Sequence, residues 1–437
     1  MKHAHLRPLA ALAILFAPLA SPHARAGQDS GGDELKLAII VSRHGVRSPL
    51  QPNEELAPYA SKPWPKWEVA PGIQTAHGNL LIAQLADFYR GRFVSAGLLS
   101  GDPARDEPLV FVRTDNDQRT IETGRILAKG LAPAGEPEVH HVAEGTPDPL
   151  FRPQAAGVGA PDQAVELASL LGRMGGDPRN IDRAYAAQMS ELKGVLFGPG
   201  ENPPPGSPLG EPTAVPSSVD ALVFKSKGPL RAALICTDAL LLEYVQGLPM
   251  TDVGWGRMDG RTLTDLLALH DLFFDLTQRT RYLAQVGGSN LASHIVDTLE
   301  QAATGEPVVG AIGPESERVV ILVGHDTNIA NLGGLLGLEW WIPGTQANPM
   351  LPGGALVLEL WRHGGQPGGY YLKASYVAQT LEEMREAGPG APAKLPVRCP
   401  IFIPDCSGAG PDYDAPLAAF VRHARQAIKP AFIAPEP

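Results

Sequence analysis

Three short apolar runs, each followed by charged residues and then by a helical pattern, constrain the fold of this 437-residue chain more than any other feature. The runs predict strands at 35–41, 109–112 and 318–323. Strands without polar alternation are typical of a sheet covered by helices on both faces. The repeated order of strand and helix therefore predicts an α/β fold, with a central, mostly parallel sheet flanked by helices.

The middle of the chain has helical patterns without the alternating strand and helix pattern of the rest. Helical patterns cover 162–196 and 229–244, and a loop dense in proline and glycine separates them. We therefore expect an inserted, mostly helical domain at 150–262. The α/β domain then comprises the rest of the mature chain, which is 27–149 and 263–437. Its second part contains predicted helices at 263–276 and 291–303 and a β-hairpin at 353–377.

The N-terminus has the pattern of a secretory signal peptide. Lys2 and Arg7 precede an apolar stretch at 9–20, and an Ala-Arg-Ala sequence follows at 24–26. About twelve apolar residues are too few for a membrane span, which needs roughly 20. We expect cleavage before Gly27, with residues 1–26 removed, and export to the periplasm.

Composition narrows the partners and cofactors. The chain has 36 basic and 47 acidic residues, a net charge of −11, which argues against a nucleic-acid or anionic membrane partner. Of the three cysteines, Cys399 and Cys406 are close enough in sequence to close a short disulfide loop, whereas Cys236 lies in an apolar run. Because no spacing resembles a metal site, we expect no metal and no other cofactor, and we expect a monomer.

Charged side chains follow all three predicted strands. They are Arg43, His44 and Arg47 after the first, Asp115 and Arg119 after the second, and His325 and Asp326 after the third. Ligand sites in open α/β sheets form outside the carboxyl ends of the strands. The planar fork of arginine suits the oxygens of a tetrahedral anion, and three arginines exceed what one carboxylate needs. The pattern therefore predicts a phosphate site.

The same residues indicate a reaction. A Gly-rich phosphate loop is absent from the sequence, so the available nucleophile is an imidazole nitrogen of His44. Flanking arginines would depress its pKa and keep it neutral in mild acid. Asp326 is placed to protonate a leaving alcohol. The adjacent pair His140 and His141 is expected at the surface, and Trp340 and Trp341 are expected in the core or a pocket wall. Five other histidines are expected to be structural or solvated, namely His77, His270, His294, His363 and His423.

These motifs resemble those of the histidine acid phosphatases. The signature RHGxRxP is matched in full at 43–49, and the downstream His-Asp step is at 325–326. The similarity extends through DNDQRTIETG, TPDPLF, QGLP, GWGR, HDTNIANLGG, LPGG and QTLEEMR, and it is greatest with bacterial periplasmic phytases and glucose-1-phosphatases.

The resemblance implies an α/β domain with a helical insertion and assigns roles to individual residues. His44 is the implied nucleophile, which forms a phosphohistidine, and Asp326 is the implied acid. The implied phosphate ligands are Arg43, Arg47, Arg119 and His325. Two further residues, Arg279 and Asp238, correspond to positions that contact substrate in phytases, the second by a looser match.

Several functions fit these residues. The leading hypothesis is a metal-independent acid phosphomonoesterase that acts on phytate, and a glucose-1-phosphatase-type sugar phosphatase is the alternative. Gly45 favours the first, since the sugar phosphatases tend to carry asparagine there. Gln51 does not, because phytases often have a lysine there that meets a distal phosphate. The non-enzyme alternative is a periplasmic protein that binds phosphate esters. Such a protein would need the arginines but not a nucleophile and a general acid, so the presence of His44 and Asp326 argues against it.

Overall fold

The computed structural model describes residues 32–135, 138–211, 213–214, 217–219, 228–364, 369–388, 390 and 393–435. The predicted signal peptide, 1–26, lies outside them. The strands are β1 Glu34–Arg43, β2 Val110–Thr114, β3 Val139–His140, β4 Val319–Gly324, β5 Ala355–Arg362, β6 Tyr370–Ala378, β7 Val397–Pro400 and β8 Ala415–Pro416. The α-helices are α1 Asn53–Leu56, α2 Ala76–Ser95, α3 Pro103–Asp106, α4 Gln118–Leu131, α5 Gln163–Arg173, α6 Arg179–Ala184, α7 Ala186–Phe197, α8 Pro229–Val245, α9 Gly260–Thr277, α10 Arg281–Thr304, α11 Asp326–Leu336, α12 Leu381–Glu386 and α13 Leu417–Ala427.

The described strands form one mixed sheet in the order β3-β2-β4-β1-β5-β6-β7, and β8 pairs with β6. The three strands predicted from the apolar runs are neighbours: β4 lies between β2 and β1 and is parallel to both. Their carboxyl ends therefore meet at one edge. The predicted hairpin is also present, as antiparallel β5 and β6. The predicted fold class, with parallel central strands flanked by helices, is confirmed.

Both faces of β1 are covered, which explains its unbroken apolar sequence. Ile40 packs with residues of α2 and α4 in one core. Val41 points to the opposite face and packs with residues of α10, α11 and α13 in a second core. Since each face is closed by helices, successive side chains of the strand are buried although they point in opposite directions.

Helix α10 begins ten residues before its predicted start. The sequence at its beginning contains Gly287 and Gly288, which lower helix propensity and hid the pattern. These glycines allow α11 to approach closely: a Cβ on Gly287 would lie 2.4 Å from Asn331 Nδ2, and one on Gly288 would lie 3.2 Å from Asn331 Cβ. Packing against α11 therefore requires residues that an isolated helix would disfavour.

The predicted disulfide between Cys399 and Cys406 was wrong, because the structure has both cysteines free. Cys399 is in β7 opposite Tyr376, and its thiol lies 3.7 Å from the Pro400 carbonyl. Cys406 is in the turn that follows, with its backbone amide on the carbonyl of Ile403 and its side chain in the core.

The described residues between 150 and 262 contain α5 to α8 and the first turn of α9, and no strand. The boundaries of an inserted domain there stay a prediction. Among the described residues, no helix combines the length and the apolar character that crossing a membrane requires.

Candidate active site

The ends of β1, β2 and β4 meet through backbone hydrogen bonds. The amide of His44 donates to the Gly324 carbonyl at 3.2 Å, and the amide of Asp115 donates to the Val323 carbonyl at 2.9 Å. This places the ring of His44 edge-on to the ring of His325, with 5.6 Å between centroids. The predicted convergence of the three strand ends therefore brings both imidazoles to the same edge of the sheet.

The loop after β1 is held from the side of α4. The amide of Gly45 lies 2.9 Å from Thr123 Oγ1 and 3.1 Å from Gln74 Oε1. A side chain at position 45 would be crowded, because its Cβ would lie 2.9 Å from Ile82 Cγ1. The first turn of α2 approaches equally closely: a Cβ on Gly78 would lie 2.2 Å from the Val46 carbonyl oxygen. The backbone around His44 is thus fixed by small residues and by hydrogen bonds.

Two buried arginines share acidic partners beside His44. Arg43 forms ion pairs with Asp326 at 3.1 Å and Asp238 at 3.5 Å, and Arg47 pairs with Asp238 at 3.1 Å. Arg43 also donates to the carbonyl of Met350. Burial alone would raise the pKa of Asp238, but the charges of Arg47 and Arg43 outweigh it and hold the pKa below its ordinary value. Asp238 is therefore ionised and orients both guanidinium groups.

A second ionic cluster lies at the ends of β2 and β4. Arg119 pairs with Asp117 at 2.6 Å, and Arg152 pairs with both Asp115 and Asp117. His325 Nε2 lies 2.6 Å from Asp115 Oδ2 and 3.2 Å from Arg152 Nη2. Burial works against ionisation of Asp115, but the hydrogen bond from His325 and the charge of Arg152 lower its pKa to about 2.

Three guanidinium nitrogens near His44 lack partners. The Nε atoms of Arg43, Arg47 and Arg119 are buried and make no hydrogen bond within the described part of the chain. A buried donor without an acceptor costs about 1–3 kcal/mol. Their crowding also has an electrostatic consequence, since burial and then the charges of Arg47 and Arg152 lower the pKa of Arg119 to about 10, although Asp117 opposes the effect. An anion with several oxygens would relieve both costs.

His44 is prepared to act as a base or nucleophile. Its Nδ1 lies 2.9 Å from the Gly45 carbonyl, which can only accept, so Nδ1 carries the proton and Nε2 carries the lone pair. Burial depresses the pKa of His44 well below its ordinary value, and the charges of Arg119, Arg43 and Arg47 depress it further. The sequence predicted the direction through the arginines, but burial is the larger cause.

One predicted site residue lies apart. Arg279, between α9 and α10, donates to the carbonyl of Leu338 and to Glu339 Oε1, both at 2.8 Å, and its guanidinium lies 5.2 Å from the Trp340 ring centroid. No contact among the described residues joins it to the cluster around His44. The other seven predicted site residues, Arg43, His44, Arg47, Arg119, Asp238, His325 and Asp326, are brought together.

Sequence reasoning missed Arg152, Gln74 and Thr123. The last two act on the backbone of Gly45, which no local pattern reveals. Arg152 directly follows TPDPLF, one of the stretches that carried the resemblance. A basic residue next to that stretch was the sequence signal from which its place in the site could have been predicted.

The side chains of Asp115, Asp117 and His325 have ligand atoms within 4.8 Å of one another, a spacing that suits a metal ion. Arg152 contacts all three of them, however, and already supplies positive charge at that position. The Arg152 guanidinium therefore occupies the place of a metal ion in this cluster.

The order of the strands in the sheet, and an imidazole flanked by arginines at the carboxyl edge of that sheet, place this protein in a class. It is the class of α/β proteins that hold an oxyanion beside a histidine. The chain belongs to the histidine phosphatase superfamily, branch 2, whose model matches residues 34–195 and 226–377.

Relatives of known name fall in the same family. The chain is 34% identical over 430 residues to phytase AppA of Escherichia coli (strain K12), which covers 95% of this chain and 97% of that protein. It is 26% identical over 394 residues to a glucose-1-phosphatase of Providencia rettgeri, which covers 86% of this chain and 87% of that protein.

Solved structures agree with this relationship. Hafnia alvei phytase in complex with tartrate superposes with a TM-score of 0.81 at 31% identity, covering 93% of this chain and 100% of that one. The complex of the same phytase with myo-inositol hexakis sulphate gives 0.78 at 30% identity, with the same coverage.

Proposed function

We propose that this protein is a metal-independent acid phosphomonoesterase that releases phosphate from phytate through a phosphohistidine intermediate. The observation that carries the proposal is the set of three buried, unpaired Nε donors on Arg43, Arg47 and Arg119 beside a neutral imidazole. Such a set stabilises the oxygens of a phosphoryl group and leaves a nucleophile next to its phosphorus.

The first chemical step uses the lone pair of His44 Nε2. It attacks phosphorus, the nitrogen–phosphorus bond forms, and the ester oxygen–phosphorus bond breaks. The leaving alkoxide takes a proton from Asp326. Charge on the transferring oxygens is held by Arg43, Arg47, Arg119 and His325. Water then attacks the phosphohistidine, Asp326 accepts its proton, and inorganic phosphate leaves with the electrons of the N–P bond returned to the imidazole.

Ion pairing gives Asp326 and Asp238 different roles. Asp326 shares Arg43 with Asp238 in the unliganded protein. A phosphoryl group on Arg43 competes with Asp326 for that guanidinium, and the carboxyl group is then free to hold a proton for the leaving group. Asp238 orients Arg43 and Arg47 rather than reacting.

Phytate is the proposed substrate because phytases are among the proteins that this chain resembles, at 34% identity and a TM-score of 0.81, and one of them is solved with a sulphated inositol. Gly45 supports phytate over glucose 1-phosphate, since glucose-1-phosphatases tend to carry asparagine there and such a side chain would be crowded by Ile82 and Gln74 in this structure. Arg279 is proposed to meet a distal phosphate after release from Glu339. The N-terminal signal pattern supports export to the periplasm, and we propose that the mature protein acts as a monomer.

The test is phosphate release at about pH 5 in EDTA, with kcat/KM compared for phytate and glucose 1-phosphate. We expect turnover on both and a preference for phytate. The variant His44→Ala should keep the far-ultraviolet circular dichroism spectrum and lose hydrolysis. If kcat/KM is higher for glucose 1-phosphate than for phytate, the proposed substrate is wrong and the proposed mechanism stands. Stoichiometric release without turnover indicates a binding protein, and activity in His44→Ala removes the proposed nucleophile.

A further inference from the structure

We propose that Arg152 determines specificity by binding a second phosphate group of the substrate while the first is held around His44. The inference rests on the proposed phosphatase function and adds to it a residue that neither the sequence motifs nor the family signature singles out. Four observations carry it: the place of Arg152 at the mouth of the site, its free donor, its rigid support, and the neutral residues on the opposite side.

Arg152 lies on the outer side of the phosphate site. Its side chain is 38% exposed, whereas those of Arg43, Arg47 and Arg119 are 0%, 4% and 14% exposed. It is joined to Arg119 through Asp117, which accepts from both guanidinium groups. A phosphate on Arg119 therefore has Arg152 as its neighbour towards solvent.

Part of the Arg152 guanidinium remains available. Its ion pairs use Nε with Asp115 and Nη2 with Asp117, which leaves Nη1 without a partner among the described residues. These two carboxylates hold the guanidinium in place and raise its pKa against the effect of burial, so it stays a cation. A charged donor already oriented by two acceptors loses little side-chain entropy when it binds an anion.

The turn that carries Arg152 is rigidly attached. Its amide donates to the carbonyl of Asp148 at 2.7 Å, and the buried Asp148 carboxylate pairs with Arg113 at 3.1 Å. Asn328 joins the turn to the strand end, because its Nδ2 donates to the Phe151 carbonyl at 2.8 Å and its Oδ1 accepts from the His325 amide at 2.9 Å. The position of Arg152 is thereby fixed relative to His325.

Neutral residues lie on the other side of Arg119, where its Nη1 is 3.5 Å from the Gly72 carbonyl. There Leu50 and Arg119 flank Gly72: a Cβ on Gly72 would lie 3.2 Å from Leu50 Cδ2 and 3.6 Å from Arg119 Nη1. The next residue, Gln51, is also neutral. Because the additional cation, Arg152, is on the Asp117 side of Arg119, we expect the distal phosphate to lie towards β4 and α11.

The alternative to this proposal is that Arg152 only positions Asp115 and His325, which it also contacts. The two roles separate kinetically. A residue that binds only the distal phosphate affects substrates with several phosphates more than substrates with one. A residue that merely orients His325 affects the transfer of every phosphoryl group equally, and its loss appears in kcat for all substrates.

The experiment measures kcat and KM of Arg152→Gln and Arg152→Lys on phytate and on p-nitrophenyl phosphate. We expect Arg152→Gln to lower the ratio of the two kcat/KM values, phytate over p-nitrophenyl phosphate, by about tenfold, mainly through KM, as for the loss of one charged hydrogen bond. Arg152→Lys should restore part of the ratio. The control Arg105→Gln removes an exposed arginine of α3 that pairs with Asp102 at 3.5 Å, at the opposite end of β2 from the site, and its ratio should stay at the wild-type value.

Equal losses on both substrates, with the ratio unchanged within twofold, would overturn the inference and leave the phosphatase function standing. Wild-type protein inactive on every phosphate ester would instead remove the proposed function. A second measurement covers poorly folding variants: inhibition of the residual p-nitrophenyl phosphate hydrolysis by myo-inositol hexakis sulphate and by inorganic phosphate. The inhibition constant for the hexakis sulphate should rise about tenfold relative to that for phosphate, and parallel changes in both would again contradict the proposal.

Discussion

Glu243 in α8 is a buried carboxyl group without a described cationic partner, and this makes the stability of the protein sensitive to pH. The side chain is 1% exposed, and its Oε2 accepts from the Gly254 amide at 3.0 Å. That amide belongs to a left-handed turn in which Gly254 and Trp255 have φ of 53° and 58°. Burial raises the pKa of Glu243 to about 8, although the hydrogen bond from Gly254 opposes the effect.

The direction of the pH effect follows from this raised pKa. Both the folded and the unfolded chain hold the proton below the ordinary value of 4.5, so the contribution of Glu243 to stability is complete there. As pH rises towards 8, the unfolded chain releases its proton and the folded chain retains it. Stability then falls by up to about 1.4 kcal/mol per pH unit, which amounts to on the order of 4 kcal/mol between pH 5 and pH 8.

The variant Glu243→Gln removes this titration and keeps the shape and the acceptor for the Gly254 amide. We expect it to unfold at nearly the wild-type urea concentration at pH 5. At pH 8 it should be more stable than wild type, by about 2–4 kcal/mol in the free energy of unfolding, since structural relaxation around the ionised group reduces the full value. The control is Glu144→Gln, which changes an exposed glutamate in the loop after β3.

The measurement is urea unfolding followed by tryptophan fluorescence and circular dichroism at several pH values. The quantity to compare is the difference between variant and wild type, because other groups titrate in both. A difference that grows steadily with pH for Glu243→Gln and stays flat for Glu144→Gln supports the reasoning. An equal difference at pH 5 and pH 8 would show that the Glu243 carboxyl does not hold its proton in the folded state.

Two further predictions concern the reaction. Asp326→Asn should lower kcat for alkyl phosphate esters at least tenfold more than for p-nitrophenyl phosphate, because the p-nitrophenolate leaving group needs little protonation. The measurement is phosphate release from the two ester types. Equal losses of kcat on both would count against Asp326 as the acid. The depressed pKa of His44 should place the acid limb of kcat/KM well below pH 6.5, because protonation of the imidazole is the event that removes the nucleophile. An acid limb centred near 6.5 would contradict the role of burial and of Arg119 at this residue.

The central sheet could be predicted because its signal is local. Strands β1, β2 and β4 are short apolar runs with charged residues at their ends, and parallel packing under helices requires that pattern. The start of α10 could not be predicted, since Gly287 and Gly288 serve the contact with Asn331 and weaken the helical pattern. Local propensity yields to packing at such places.

The candidate site also contains residues that could be predicted from the sequence and residues that could not. The residues in RHGVRSP and the His-Asp step are contiguous in sequence, so their chemistry could be interpreted directly. Asp238 matched only loosely, and its contacts with Arg43 and Arg47 depend on how α8 packs against the sheet edge. Arg152 comes from a turn whose position is set by Asn328 and Arg113, and the sequence carries no mark of either contact.

The hydrogen bonds that hold the turn of Arg152 make the backbone path of the turn independent of the side chain at position 152. Asn328 and Asn290 hold the backbone carbonyls of Phe151 and Pro149, so the path of the turn does not depend on which side chain occupies position 152. Under the proposed role of Arg152, exchanging that residue would alter which substrates bind at the outer side of the site without changing the backbone path of the turn. Substrate preference could then change by a single substitution at a position whose backbone is fixed by other residues.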